Sequence, residues 1–204
     1  MRVISFLLFF LISLFAVEVS GQKDWKLQKQ QDGIRIYTAH QEDTRILAYR
    51  IEALIHGALK DVYHQVIDFQ GNKKYLETVK QIDVLKKEPD QQVLFYMLFD
   101  LPWPIRDRDF VNRMDIRIGS DTIALNSSPA SGWVEPNEQV VRMQEFSEQW
   151  LLVRKNSGKT SLSLEGYADP GGKFPAWVVN RFVVKEPHAL VRGIKQQVES
   201  KRGS

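Results

Sequence analysis

The sequence predicts an α+β fold, a curved antiparallel sheet wrapped around one long C-terminal helix. Three observations predict it. Short stretches of period-two alternation, bounded by turn residues, recur from Trp25 to Ala168. One helical insert with a single apolar face interrupts them at 58–69. The stretch 174–198 then carries apolar residues at helical spacing over a length no ordinary strand reaches.

Taken in order, residues 25–31 and 34–39 are short runs joined by Asp32-Gly33, a hairpin signal. Residues 45–55 give a third strand. The insert 58–69, ended by Gly71, places Leu59, Val62, Tyr63 and Val66 on one helical face, and 72–77 adds a further turn. Strands follow at 79–87, 93–99, 109–118, 122–127, 140–153 and 160–168. Glu88-Pro89-Asp90, Gly119-Ser120-Asp121 and Asn156-Ser157-Gly158 turn the chain between them. The junction Gly166-Tyr-Ala-Asp-Pro-Gly-Gly-Lys-Phe-Pro-Ala-Trp-Val-Val-Asn180 closes the last strand and opens the helix. Gly171 and Gly172 supply positive φ for the turn, and Pro175 sits where a first helical turn needs no N–H donor. Within the helix, Pro187 predicts a kink or interruption near 183–186.

The N-terminus is read separately. Met1-Arg2 precede an apolar run from Val3 to Val17, shorter than the about 20 residues of a membrane-spanning helix, and Val19-Ser20-Gly21 follows. A positive start, a short apolar core and small residues mark a signal peptide at 1–21, with Gln22 opening the mature chain. The alternative is an uncleaved anchor. Residues 22–204 are then one exported domain, periplasmic or secreted, of a size that buries roughly 70% of its unfolded surface. With no cysteine, disulfides, thiolate metal sites, cysteine nucleophiles and lipoprotein anchoring are excluded. The net charge of +3 comes from interleaved acids and bases, so no basic stripe for nucleic acid is expected. His40, His56, His64 and His188 lack metal-ligand spacing, and no Gly-x-Ser-x-Gly elbow or phosphate loop is present. Asp107 and Asp109, flanking Arg108, read as structural ion-pair partners.

Alternation orients the strands. Arg113, Asp115 and Arg117 share one face, so Phe110, Asn112, Met114, Ile116 and Ile118 share the interior one. Leu162 and Leu164 face inward opposite Ser161, Ser163 and Glu165. The run 93–99 is apolar on both faces and pattern alone does not orient it. Glu145 follows Val141 and Met143 at period two. Either it points inward toward Arg142, Arg181 or a ligand group, or a bulge exposes it. The helix presents Trp177, Val178, Phe182, Leu190, Val191, Ile194 and Val198 as one apolar stripe. Leu101-Pro-Trp-Pro-Ile105 joins two strands, and Trp103 either anchors at a membrane interface or packs beneath a lid.

On the 166–180 junction and on Arg108-Asp-Phe-Val111, the sequence resembles the START domains, the steroidogenic-acute-regulatory-related lipid-transfer family, over nearly all of the mature chain. The resemblance implies a helix-grip fold of START/Bet v 1-like type. It implies a cup for a single lipid, with the C-terminal helix as part of its lid. An inward set of this composition is by itself an ordinary core, and the resemblance turns it into a cavity wall. It orients Phe95, Met97 and Phe99 inward. The expected lining is then Phe95, Met97, Phe99, Phe110, Asn112, Met114, Leu125, Met143, Glu145, Leu164, Trp177, Arg181 and Leu190, with Trp103 and Pro187 at the gate. Sterol-binding members bury an acid and an arginine at positions that here match Met97 and Met114, which implies a floor for acyl chains rather than a sterol anchor.

The leading expectation is a non-catalytic, cofactor-free, monomeric carrier or sensor. Its partners are a lipid or other apolar small molecule and, transiently, a membrane. The rival is a helix-grip enzyme of polyketide cyclase or aromatase type, with Asn112, Glu145 and Tyr96 as its polar floor. A third alternative is an interaction domain with a collapsed interior. For export, intact-mass measurement of the product made from the full sequence is expected to give a chain beginning near Gln22. A mass that retains residues 1–21 contradicts it.

Overall fold

In the computed structural model, the described residues are 23–41, 43–103, 105–143, 145–156, 158–171 and 176–201, without the side chains of Ala176, Trp177, Val178 and Arg181. The expected signal peptide, Pro175 and the expected site side chains of Trp177 and Arg181 lie outside them.

Asp32 and Gly33 both adopt positive φ, 55° and 74°, the requirement of a tight turn matched to strand twist. They join β1 (Lys26–Gln31) to β2 (Ile34–His40), and β3 (Leu47–Ile55) pairs antiparallel with β2. The insert is α1 (Leu59–Val66), α2 (Phe69–Asn72) and a 3-10 turn, Lys73–Tyr75. The predicted face of α1 is buried, and the Asp68 carboxylate caps α2 by accepting from the Gly71 N–H at 3.0 Å. Six further strands follow, β4 (Val79–Glu88), β5 (Gln92–Phe99), β6 (Arg108–Ile118), β7 (Thr122–Pro129), β8 (Val141–Arg142) and β9 (Glu145–Lys155). The chain closes with β10 (Lys159–Asp169) and α3 (Ala176–Ser200). The strand order is β1-β2-β3-β10-β9-β7-β6-β5-β4, antiparallel along this path, and α3 lies across the concave face.

Two expectations are corrected. The predicted strand 140–153 is two strands with different neighbours. β8 runs parallel to the start of β6, Arg108 opposite Val141, whereas β9 lies between β7 and β10. Alternation cannot be carried across such a change of partner. The second correction concerns Pro187. Of the two outcomes expected there, an interruption does not occur, because α3 continues through Pro187 from Ala176 to Ser200. Buried Val183, Val191, Ile194 and Val198 hold both halves against the sheet, so packing outweighs the roughly 3 kcal/mol of an internal proline.

The two motifs that carry the family resemblance meet in space. Arg108, at the start of β6, is buried. It donates from Nε to the Pro170 carbonyl at 3.1 Å and from Nη2 to the Gly171 carbonyl at 3.2 Å. The Asp169 carboxylate accepts from the Gly171 N–H at 2.8 Å, closing the turn from within. Farther along, Asn180 of α3 accepts from the Leu47 N–H at 3.0 Å and donates to the Arg45 carbonyl at 3.2 Å. The outer-face acids act structurally. Asp109 holds Arg142 in a two-point ion pair at 2.7 and 3.1 Å, and Asp107 accepts from the Leu101 N–H at 3.2 Å.

Arg108→Met keeps the length of the side chain and removes the bonds to the turn. Loss of charge-assisted bonds to buried carbonyls is expected to lower stability by about 2–4 kcal/mol. In calorimetry this reads as a melting temperature lower by about 5–10 °C. An unchanged melting temperature contradicts the role assigned to Arg108.

Candidate functional site

Between the sheet and α3 the interior is filled at one end and open at the other. Toward α1 the inward residues Leu125, Leu152, Leu162 and Leu164 are wholly buried. Toward β4, β5 and the first half of α3, two adjoining cavities remain among the described residues, of about 110 and 140 Å³. Packed cores hold few voids larger than one water, so these are not packing defects. Tyr49, Phe99, Phe146, Glu186 and Pro187 line both and form the partition between them.

The inner cavity is walled by Phe95, Met97, Phe99, Met114 and Leu190 of the expected lining, together with Val79, Ile82 and Leu76. The outer cavity takes Met143, Val179, Phe182 and Val183, and is roofed by Leu101, Pro102 and Ile105 and by the Pro170 turn. Pro187, an expected gate residue, thus faces both chambers, and the Leu101-to-Ile105 loop lies over the outer one. Trp103 of that loop points away, with 92% of its surface exposed, so it does not pack beneath a lid.

Other expected site residues stand elsewhere. Phe110 is buried behind the wall, stacked on Phe146 with centroids 4.2 Å apart and flanked by Phe95 and Phe99. It supports the lining from behind. Leu125 and Leu164 belong to the packed end. Asn112 is fully buried and pins strands together. Its Nδ2 donates to Ser127 Oγ at 2.9 Å and to the Phe146 carbonyl at 2.7 Å. Ile118, expected on the inward face though not in the site, is exposed at the end of β6. Glu145 is exposed on the outer face, because β9 begins there in a register unrelated to β8. Arg142, once its candidate partner, serves Asp109 instead. Tyr96 lies beside Asp109 and Arg142 and outside the cavity wall, its hydroxyl pushed up to about 12 by burial and by Asp109. The polar floor expected for a cyclase is therefore not assembled from Asn112, Glu145 and Tyr96.

The inward face of β9 is instead Phe146, Glu148, Trp150 and Leu152. Glu148 is enclosed by protein, and the surface it keeps is cavity wall. Its Oε1 accepts from the Tyr49 hydroxyl at 2.6 Å and its Oε2 from Trp150 Nε1 at 3.2 Å. Tyr49, on β3, reaches it by lying over Gly166 of β10. A Cβ at Gly166 would stand 2.2 Å from Tyr49 Cζ. Burial raises the Glu148 carboxyl above its ordinary value, partly offset by the Tyr49 and Trp150 donors, and burial also raises the Tyr49 hydroxyl. Glu186 is raised as well, by burial and then by Glu77, and its Oε2 has no partner among the described residues. Tyr49, Phe146, Glu148, Trp150 and Glu186 are site residues that the sequence reading missed. A signal existed. Glu145, Ser147 and Gln149 form a polar face from 145 onward, which places Phe146, Glu148 and Trp150 on the other.

The model of the START domain family matches residues 15–199, and the chain belongs to that family. The chain is 27% identical over 180 residues to an uncharacterised protein of Pseudomonas aeruginosa, covering 88% of this chain and 89% of that protein. It is 28% identical over 167 residues to the phosphatidylcholine transfer protein of Mus musculus, covering 77% and 75%. Among solved structures it shares its fold with a STAR-related lipid transfer protein from Xanthomonas axonopodis. That match has a TM-score of 0.76 and 23% identity, and covers 86% of this chain and 98% of that one.

A raised folded-state pKa means that the folded chain binds the Glu148 proton more tightly than the unfolded chain. Its contribution is full below the ordinary value of 4.5 and is lost as pH rises through the raised value. Glu148→Gln has no such loss. The melting temperature of wild type relative to Glu148→Gln is therefore expected to fall between pH 4 and pH 8. A difference that stays constant, or grows in favour of wild type, contradicts the assigned burial.

Proposed function

We propose that the protein is a non-catalytic carrier that takes up one apolar, lipid-like molecule, shields it from water and releases it at a membrane. The observation that carries this reading is the pair of apolar chambers, closed outward by a short proline-bounded loop and by α3. Ligand sites usually enclose about 300–1,000 Å³, more than either chamber holds. A lipid-sized ligand therefore has to displace the partition at Phe99 and Phe146 and lift the roof. Leu101, Pro102 and Ile105 have few donors with which to hold that roof shut. Relatives named for lipid transfer support the same reading.

Trp103 supports the membrane step. A rigid amphipathic ring exposed on the roof is suited to the water–lipid boundary. Export belongs to this proposal through the N-terminal segment 1–21, which would place the carrier in the periplasm or outside the cell, acting as a monomer.

Transfer of two fluorescent lipids between vesicles, a diacylglycerol and a phospholipid, tests the reading with and without a phosphate on the cargo. Trp103→Ala is expected to slow transfer severalfold, with stability within about 0.5 kcal/mol of wild type, as for other exposed positions. A reducible cross-link between cysteines introduced into the 101–105 loop and into α3 is expected to stop transfer until it is reduced. Equal rates for cross-linked and reduced protein place the opening elsewhere. Transfer of neither lipid by wild type contradicts the carrier reading.

A further inference from the structure

We propose that Glu148 selects the polar end of the ligand, and that this end carries an amine or hydroxyl donor rather than a phosphate or carboxylate. The inference rests on the carrier reading and gives the ligand its chemical class.

The site is built from three strands. β3 supplies Tyr49, β9 supplies Glu148 and Trp150, and β10 supplies the bare backbone of Gly166 that lets the Tyr49 ring lie flat. Tyr49 and Trp150 each occupy one oxygen of Glu148, at 2.6 and 3.2 Å. A carboxylate offers about four lone-pair sites, so acceptor capacity remains, and Glu148 lines the inner cavity. Among the described residues, no lysine or arginine acts on Glu148. A buried carboxylate without a cation is costly unless a partner arrives. The same cavity is lined by Glu186 of α3, whose Oε2 has no partner among the described residues. Among the described residues of the inner cavity wall an incoming anion meets two acids and no base, and Arg108, which lines the outer cavity, is turned to the Pro170 and Gly171 carbonyls. An incoming amine or hydroxyl meets free acceptors, and an ammonium additionally meets the rings of Phe146 and Trp150. The rest of the wall, Phe95, Met97, Met114 and Leu190, accommodates hydrocarbon.

Four amphiphiles with one tail test this at pH 7: dodecylamine, dodecanol, dodecanoate and dodecyl phosphate, each displacing a fluorescent apolar probe from the full mature chain. The amine and the alcohol are expected to bind at least about tenfold more tightly than the two anions, the scale of one well-made hydrogen bond. Glu148→Gln is expected to bring the four within about threefold of one another, and Glu148→Leu serves where Glu148→Gln does not fold. Equal binding of all four by wild type overturns the proposal while leaving the carrier reading intact. So does a preference that survives both substitutions. If none of the four displaces the probe, the carrier reading falls, and this inference falls with it.

Discussion

The seating of α3 across the sheet is the constraint on which the rest of the molecule depends. It is set by polar ties rather than by apolar contact alone. Arg108 binds the carbonyls of Pro170 and Gly171 just before the helix, and Asn180 fixes its first turns to the chain entering β3. At the far end Glu199 accepts from the His56 N–H at 2.9 Å, and Lys195 donates to the Leu54 carbonyl at 2.8 Å. Apolar burial is non-directional and would let the helix sink into the cup. Directional bonds at both ends hold it where Val191, Ile194 and Val198 pack while the first half of the helix stands over open volume.

That geometry divides the interior. The end under α1 is a conventional core and supplies stability. The end under the first half of α3 keeps two chambers separated only by side chains, with Phe99 and Phe146 at their boundary. Aromatic rings backed by Phe110 make this partition continuous with the core. Into the same wall the fold places an enclosed carboxylate, Glu148, held by Tyr49 and Trp150, with Glu186 of α3 beside it in the lining. A polar group so placed contributes orientation and selection rather than binding energy, because apolar area remains the larger driving term for a lipid-like ligand.

Much of this was legible in the sequence. The Asp32-Gly33 hairpin, the α1 face, the inward set Phe110, Asn112, Met114 and Ile116, and the terminal helix follow from periodicity and turn chemistry. The two family motifs identified the fold, and the structure shows why they go together, since Arg108 of one bonds the turn of the other. What was not legible depended on partners. Alternation read through 140–153 assumed a single strand, but β8 joins β6 and β9 joins β7 and β10, so the inward acid is Glu148 and not Glu145. Pro187 was read from local chemistry, whereas tertiary packing decided that the helix continues. Asn112 was read as cavity lining because parity gives the face of a strand, not whether a neighbour covers it, and here Ser127 and Phe146 do.

The central claim is that the chambers form one enclosed site for one apolar molecule. Native mass spectrometry of the mature chain, incubated with a total lipid extract and separated from excess, measures it most directly. The account predicts a single added mass per chain, belonging to an apolar amphiphile and absent from a variant whose inner chamber is filled by Met114→Trp. Several adducts per chain, unchanged by that substitution, would mean surface adsorption and contradict the account, as would a chain that emerges with nothing bound.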